Sequence, residues 1–219
     1  MADQPADQNT APSAESIARA PAPPSTEEQI LAAHIGPTPP HNSTITLAEY
    51  DPAWPQIYTG KAARIRAALG ERVLLLEHVG STSVPGLAAK PLIDILLVME
   101  DSSDEAAYVP ALEAQGYVLR IREPEWFQHR LLKGADPDTN LHVFSPGCVE
   151  IRRMLLMRDW LRSHAEDREL YERTKRELAQ RQWKYVQNYA DAKSEVVEAI
   201  LARASAAEAS GAAINAGSV

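Results

Sequence analysis

Apolar and polar residues repeat along the chain with two different periods, and these periods separate strands from helices. Runs rich in Val, Leu and Ile predict six strands, at residues 44–49, 72–79, 91–99, 117–122, 126–133 and 140–145. Apolar residues at helical spacing predict helices at about 52–69, between Ser102 and Gly116, and through 151–201. Because strands and helices alternate first and a helical stretch follows, the sequence predicts the α+β class: a mixed sheet flanked by helices, with a C-terminal helical cap.

The two ends of the chain lack this pattern. Residues 1–43 hold half of the 16 prolines and are otherwise rich in Ala, Gln, Asp and Ser, which predicts a disordered tail. Residues 204–219 are mostly Ala, Gly and Ser and predict a second flexible tail. The sequence therefore predicts one folded domain over residues 44–203.

Composition narrows the classes of function. The formal net charge is −8, which disfavours sequence-independent binding to nucleic-acid phosphates. No apolar run approaches the roughly 20 residues of a membrane span, and the N-terminus lacks the layout of a secretory signal. The single cysteine, Cys148, leaves no partner for an internal disulfide. We expect a soluble, cytoplasmic protein that binds a small molecule; the oligomeric state stays open.

One charged residue interrupts an apolar strand. Asp94 lies in Pro91-Leu92-Ile93-Asp94-Ile95-Leu96-Leu97-Val98. Burying an ionised carboxylate is costly unless it is paired or binds a cation. Two explanations follow: an ion pair, for example with Lys90, or a ligand for a divalent metal ion. Lys90 itself either pairs with this acid or neutralises a phosphate.

A small, polar loop precedes that strand. Gly80 lets a phosphate approach the backbone closely, and the hydroxyl of Ser81 and the neighbouring N–H groups can donate hydrogen bonds to it. The alternative is a tight turn that merely needs glycine. The spacing to Gly86 and the following Leu87 do not match a Walker A motif.

Two later strands carry further candidates. His142 is interpreted either as a metal ligand or general base, or as a half-buried histidine held by a neighbour. His129 and Arg130 lie on the preceding strand, and Arg130 is either a phosphate ligand or an ordinary edge cation. The lysines and tyrosines of the last helices are interpreted as packing residues and a solvated face.

A Gly-Ser loop after one strand and an acid inside the next resembles the nucleotidyltransferase superfamily. The longer stretch from His78 to Ile95 is similar to the signature of the GrpB family, an uncharacterised family placed in that superfamily by fold. Four further segments resemble parts of the same family: Tyr50 to Trp54, Asn140 to Phe144, Arg158 to Arg162 and Tyr171 to Lys175. The resemblance covers residues 44–203 and implies a nucleotidyltransferase-like sheet.

The resemblance also implies a site. The loop Gly80, Ser81, Thr82 and Ser83 would hold the triphosphate of a nucleotide, and Asp94 would bind Mg²⁺ for transfer of a nucleotidyl group to a small acceptor. Lys90 and Arg130 are added to the predicted phosphate-binding residues.

The superfamily pattern has a second acid two residues after the first, where this chain has Leu96. His142 takes the place of the third acid, so Asp94 and His142 form the predicted catalytic pair. Three hypotheses follow: a nucleotidyltransferase, a nucleotide- or ligand-binding module without catalysis, and a metal-dependent hydrolase or isomerase using Asp94, His129 and His142.

Overall fold

A computed structural model describes residues 17–135 and 138–216 of the chain. Within these residues five strands form one sheet: β1 (Leu75–Val79), β2 (Ile93–Val98), β3 (Tyr117–Glu123), β4 (His129–Gly134) and β5 (Thr139–Phe144). The helices of the same residues are α1 (Glu27–Ala33), α2 (Trp54–Leu69), α3 (Val109–Glu113), α4 (Val149–Ser163), α5 (Ala165–Ala179), α6 (Val186–Asp191) and α7 (Ser194–Ala216).

The sheet is mixed, with the spatial order β1-β2-β5-β4-β3. All neighbours are antiparallel except β2 and β5, which run parallel. Parallel strands need a crossover connection, which α3 and the β3–β4 hairpin supply here. The register places Asp94 opposite Asn140, and Leu96 opposite His142. The central parallel pair therefore carries the polar residues of the sheet side by side.

Side chains alternate between two faces of the sheet. On one face Ile93, Ile95, Leu97, Leu141 and Val143 pack with α2 and α3 in the main core. On the other face a smaller cluster, made by Val79, Leu96, Val98 and Phe144, packs against α4. By alternation, Asp94, Asn140 and His142 lie on this second face, under the helical cap.

The α+β prediction, a mixed sheet flanked by helices, is confirmed. The strand predicted at residues 44–49 is absent from the described sheet: within it only Ala48 makes an isolated bridge, to Ala89, and Ser43 just before it makes one to Trp183. This segment crosses the sheet end and runs against α5, so it has no strand beside it to continue a ladder. No helix among the described residues is long and apolar enough to cross a membrane.

The predicted tails differ from the structure where it describes them. Residues 17–43 contain α1, and Ile17 and Ile30 are buried against the domain. The proline-rich composition predicts disorder, but the two buried isoleucines hold this segment against the domain. An average composition does not reveal such single apolar contacts. At the other end α7 continues to Ala216, with Ala204 fully buried, because alanine is the strongest helix former. Residues 1–16 and 217–219 lie outside the described residues, so their predicted disorder stays a prediction.

Candidate functional site

A cavity of about 1050 Å³ lies between the second face of the sheet and the helical cap. Its floor is formed by the Gly80-Ser81 loop, Asp94, Asn140 and His142. The helices contribute apolar side chains to the wall, and residues 30–46 of the N-terminal segment contribute a further side. Lining lysines and arginines outnumber lining acids: Lys90, Lys133, Lys193, Arg153 and Arg158 against Asp94, Asp138 and Glu150.

Asp94 is the acid at the centre of this floor. Its Oδ1 accepts a hydrogen bond from Asn140 Nδ2 at 2.9 Å and lies 3.7 Å from His142 Nε2. Burial alone would raise the pKa of Asp94, but His142 in its protonated form, the amide of Asn140 and the charge of Lys90 lower it below its usual value. The carboxyl group is therefore ionised at neutral pH and about one quarter exposed to the cavity.

Gly80 brings the loop against this carboxylate. Its backbone has φ +69° and ψ −174°, a region essentially restricted to glycine. A Cβ atom added at residue 80 would lie 2.8 Å from Asp94 Cβ and would overlap Asp94 Oδ2. Two independent constraints, backbone conformation and space, therefore require glycine here.

Ser81 is held by a lysine that the sequence did not indicate. Lys175 Nζ, from α5, donates to Ser81 Oγ at 3.1 Å and also to the carbonyl of Ala88. Lys175 is only 2% exposed. Burial, followed by repulsion from Lys193, lowers its pKa to about 7. The sequence predicts only a packing or solvated role for Lys175, because nothing in the spacing of α5 links it to a loop 94 residues earlier.

Two further lysines, Lys90 and Lys193, line the cavity itself. Burial, then the charge of Lys193, lowers the pKa of Lys90. Lys193 Nζ lies over the ring of Tyr189, 4.7 Å from its centroid. In the described part of the chain, neither ammonium group lies within 4 Å of a carboxylate oxygen. Lys90, Lys175 and Lys193 are called the lysine cluster below.

Thr82 and Ser83 turn away from the cavity. Both are buried: Thr82 Oγ1 donates to the carbonyl of Leu92 at 3.0 Å, and Ser83 Oγ donates to the carbonyl of Gly80 at 2.6 Å. The guanidinium of Arg162 donates twice to the carbonyl of Ser83, at 2.8 and 3.0 Å. These groups fix the shape of the loop, whereas Gly80 and Ser81 line the cavity.

Arg130, the other predicted phosphate ligand, is on the opposite face of the sheet. Its Nε donates to Glu105 Oε1 at 2.6 Å, and its Nη1 donates to the carbonyls of Gln128 and His129. Since side chains alternate along β4, His129 and Arg130 must face opposite sides. That alternation is a signal that could have separated Arg130 from the candidate site.

His142 belongs to a chain of side chains that begins at Asp94. His142 Nδ1 lies 3.1 Å from His129 Nε2, and His129 Nδ1 lies 2.7 Å from Glu123 Oε2. His129 is buried between the rings of Trp126 and Phe144. Burial lowers the pKa of His129 to about 4 despite the neighbouring carboxylate of Glu123.

The donor atoms do not fit a metal ion held by the protein alone. Leu96, where the superfamily has its second acid, is fully buried in the apolar cluster against α4. Across residues 17–135 and 138–216 no group of three His, Cys, Asp or Glu side chains can hold a metal ion. Asp94 is thus a single carboxylate, and neither a two-metal centre nor the Asp94, His129 and His142 metal site is supported by this geometry.

The GrpB protein family model matches residues 44–203, the residues that contain the loop, Asp94, His142 and the lysine cluster. The chain belongs to the GrpB family. It is 59% identical over 183 residues to the UPF0157 protein BH1888 of Halalkalibacterium halodurans, covering 84% of this chain and 94% of that one. The resemblance inferred from the signature is thereby confirmed.

Two other similarities bear on the fold and on the chemistry. The crystal structure of the conserved protein GrpB from Enterococcus faecalis has a TM-score of 0.65 and 30% identity, covering 74% of this GrpB chain and 99% of that one. A protein named dephospho-CoA kinase from Mycolicibacterium paratuberculosis is 33% identical over 163 residues, but the match spans 40% of that protein. The family is uncharacterised, so its name assigns no ligand.

Proposed function

We propose that the cavity binds a nucleoside triphosphate, with the phosphates between the Gly80-Ser81 loop and the lysine cluster. The observation that carries the proposal is a cavity lined by both the Gly80-Ser81 loop and two lysines, Lys90 and Lys193. Lys90 and Lys193 line the cavity, and the buried Lys175 donates to Ser81 Oγ of the loop. Positive charges held near one another in a partly buried site favour the binding of an anion.

The rest of the cavity suits a nucleotide. Its volume of about 1050 Å³ is just above the range of roughly 300–1,000 Å³ found for small-molecule sites, so it can hold a ligand as large as a nucleotide. Apolar side chains of the helical cap, such as Met157, Leu161 and Val197, line the wall and offer a surface for a base. The phosphates would then meet the lysines while the base meets the apolar wall.

Asp94 limits what else can bind at this end. Its ionised carboxylate is adjacent to Gly80, so it would repel a phosphate placed directly against it. A hydroxyl group, which donates to a carboxylate, fits this position instead. This placement supports attack of an acceptor hydroxyl on the α-phosphorus, with pyrophosphate leaving, and so supports the nucleotidyltransferase hypothesis.

Leu96 favours the second hypothesis, a binding module without catalysis. Metal-assisted nucleotidyl transfer relies on acids that hold the metal beside the phosphates, and Leu96 removes one of them. The mycobacterial relative named dephospho-CoA kinase offers a hint of nucleotide-related chemistry that agrees with either hypothesis.

Isothermal titration calorimetry of the full chain with ATP, GTP, CTP and UTP, with and without Mg²⁺, tests the proposal. We expect micromolar binding of at least one triphosphate, weakened at least tenfold by Lys193→Met. Lys184→Met is the matched control, since Lys184 is an exposed lysine paired with Glu27 and outside the cavity. Absence of binding by all four triphosphates would refute the proposal.

The same experiment contains two finer tests. Because burial and repulsion from Lys193 lower the pKa of Lys175 to about 7, bound phosphate should return a proton to it. The binding heat should then vary with the ionisation enthalpy of the buffer, in the direction of proton uptake. Release of pyrophosphate in the presence of candidate hydroxyl acceptors separates transfer from binding alone.

A further inference from the structure

Four polar side chains form a line from the protein surface to the cavity. Glu123, one third exposed, contacts His129 Nδ1 at 2.7 Å; His129 Nε2 contacts His142 Nδ1 at 3.1 Å; and His142 Nε2 lies 3.7 Å from Asp94 Oδ1. Glu123 on β3 is opposite His129 on β4, whereas His142 on β5 is opposite Leu131, two residues along β4 from His129.

The order of donors and acceptors along this line follows from the chemistry of its ends. An ionised carboxylate only accepts hydrogen bonds, so His129 Nδ1 must carry the proton that Glu123 accepts. His129 is enclosed by Trp126 and Phe144, with ring centroids 5.1 and 4.7 Å away, and such an apolar environment disfavours a second proton. Its Nε2 is therefore an acceptor, and His142 Nδ1 must donate to it.

We propose that Glu123 and His129 hold His142 with its proton on Nδ1, so that His142 Nε2 faces the cavity as a hydrogen-bond acceptor for a ligand hydroxyl. His142 Nε2 and Asp94 Oδ1 then form a two-acceptor pocket 3.7 Å wide. Two acceptors at this separation leave space for a donor to approach them. The ligand part of this inference rests on the proposed function, whereas the proton position on His142 does not.

In nucleotidyl transfer this arrangement assigns the proton. The hydroxyl oxygen would bond to the α-phosphorus, and the bond from that phosphorus to the bridging oxygen would break. Pyrophosphate would leave with the bonding electron pair, and the hydroxyl proton would pass to His142 Nε2. Glu123 and His129 touch no reacting atom; they are positioning residues that determine which nitrogen of His142 is available.

Nitrogen NMR of the protein with ¹⁵N-labelled histidine tests the proton position directly. Long-range ¹H–¹⁵N correlations distinguish protonated from unprotonated ring nitrogens, and His142→Gln assigns the signals among the six histidines. With neutral rings, we expect protonated Nδ1 and unprotonated Nε2 at both His142 and His129. A protonated Nε2 with an unprotonated Nδ1 at His142 would overturn the inference.

Two variants and one control separate this role from a merely structural one. Glu123→Ala and His129→Phe each remove an acceptor from the line, and each should abolish the preference for Nδ1–H at His142. His129→Phe keeps an aromatic ring between Trp126 and Phe144. Glu125→Ala, at an exposed glutamate two residues from Glu123, makes the same charge change and should leave the preference intact. Retention of Nδ1–H in both Glu123→Ala and His129→Phe would contradict the role.

A saturating triphosphate supplies the ligand test. If the nucleotide binds, glycerol added to the complex as a simple hydroxyl acceptor should shift the His142 Nε2 signal more than the Nδ1 signal; an unchanged Nε2 signal at saturating glycerol would refute the hydroxyl contact. If no nucleotide binds, the proposed function fails. The proton position measured in the free protein still shows whether Glu123 and His129 hold the proton of His142 on Nδ1.

Discussion

Replacement of Gly80 by alanine tests how closely the loop and Asp94 are fitted together. The positive φ of Gly80 alone costs an L-residue about 1–2 kcal/mol. The new Cβ would also lie 2.8 Å from Asp94 Cβ and 2.9 Å from Asp94 Cγ, and forcing a methyl group into such a contact costs about 1–3 kcal/mol. The sum predicts a loss of about 2–5 kcal/mol, or roughly 4–20 °C in melting temperature for a domain of this size.

Gly86→Ala is the matched control for this change. Gly86 also has a positive φ, +77°, but no heavy atom lies within 4 Å of its added Cβ. It should therefore lose only the backbone contribution, about 1–2 kcal/mol. Urea unfolding followed by circular dichroism measures both variants. If Gly80→Ala and Gly86→Ala destabilise the protein equally, the close contact between residue 80 and Asp94 does not exist in solution.

Three further changes probe the buried charges and the loop. Between pH 7 and about 10, the unfolded chain holds a proton on Lys175 that the folded protein lacks, because the folded pKa is lowered to about 7. The free energy of unfolding contributed by this group therefore rises with pH, by at most about 1.4 kcal/mol per pH unit. Urea unfolding at several pH values in this range measures the increase. The free energy of unfolding should rise less steeply with pH in Lys175→Met, but not in Lys184→Met. Leu96→Asp places an unpaired carboxylate in a buried apolar cluster and should destabilise the protein by about 3–5 kcal/mol. The control Leu74→Asp, at an exposed site, should destabilise it far less. Calorimetry should detect no gain in Mg²⁺ affinity in Leu96→Asp. Arg162→Gln removes two hydrogen bonds to the carbonyl of Ser83 in the loop and should lower the free energy of unfolding by about 1–2 kcal/mol. It should also weaken triphosphate binding in the calorimetric titration. Unchanged affinity would show that the loop holds its shape without this arginine.

The sequence predicts the sheet from its apolar runs, and it predicts the centre of the site from the residues that interrupt those runs. A carboxylate among aliphatic residues at Asp94 and a Gly-Ser pair at a strand end are both uncommon, and both lie on the cavity floor. His142 was accessible for the same reason. Because neighbouring residues of a strand face opposite sides of the sheet, the position of His129 on the cavity face also excludes Arg130 from the candidate site.

Of the lysine cluster, Lys90 was predicted from the sequence, but Lys175 and Lys193 were not, because their positions depend on helix packing. Lys175 resembles any lysine of an amphipathic helix until α5 is placed against the Gly80-Ser81 loop. The roles of Thr82 and Ser83 were equally hidden: a small polar residue in a loop can bind a phosphate or the loop itself, and only the hydrogen bonds to Leu92 and Gly80 decide. Sequence patterns report local environments, whereas these roles depend on contacts between distant segments.

The N-terminal segment gives the cavity a wall that the family domain does not encode. The domain match begins at residue 44, yet Ile30, His34 and Thr38 lie on the cavity surface. The segment is fastened at its start, where Arg19 pairs with Glu150 and donates to Glu198 through its backbone N–H. Relatives with the same loop, acid and lysines but a different leading segment would enclose a cavity of another shape. Ligand choice within the family can thus diverge through a part of the chain that leaves the sheet and its chemistry unchanged.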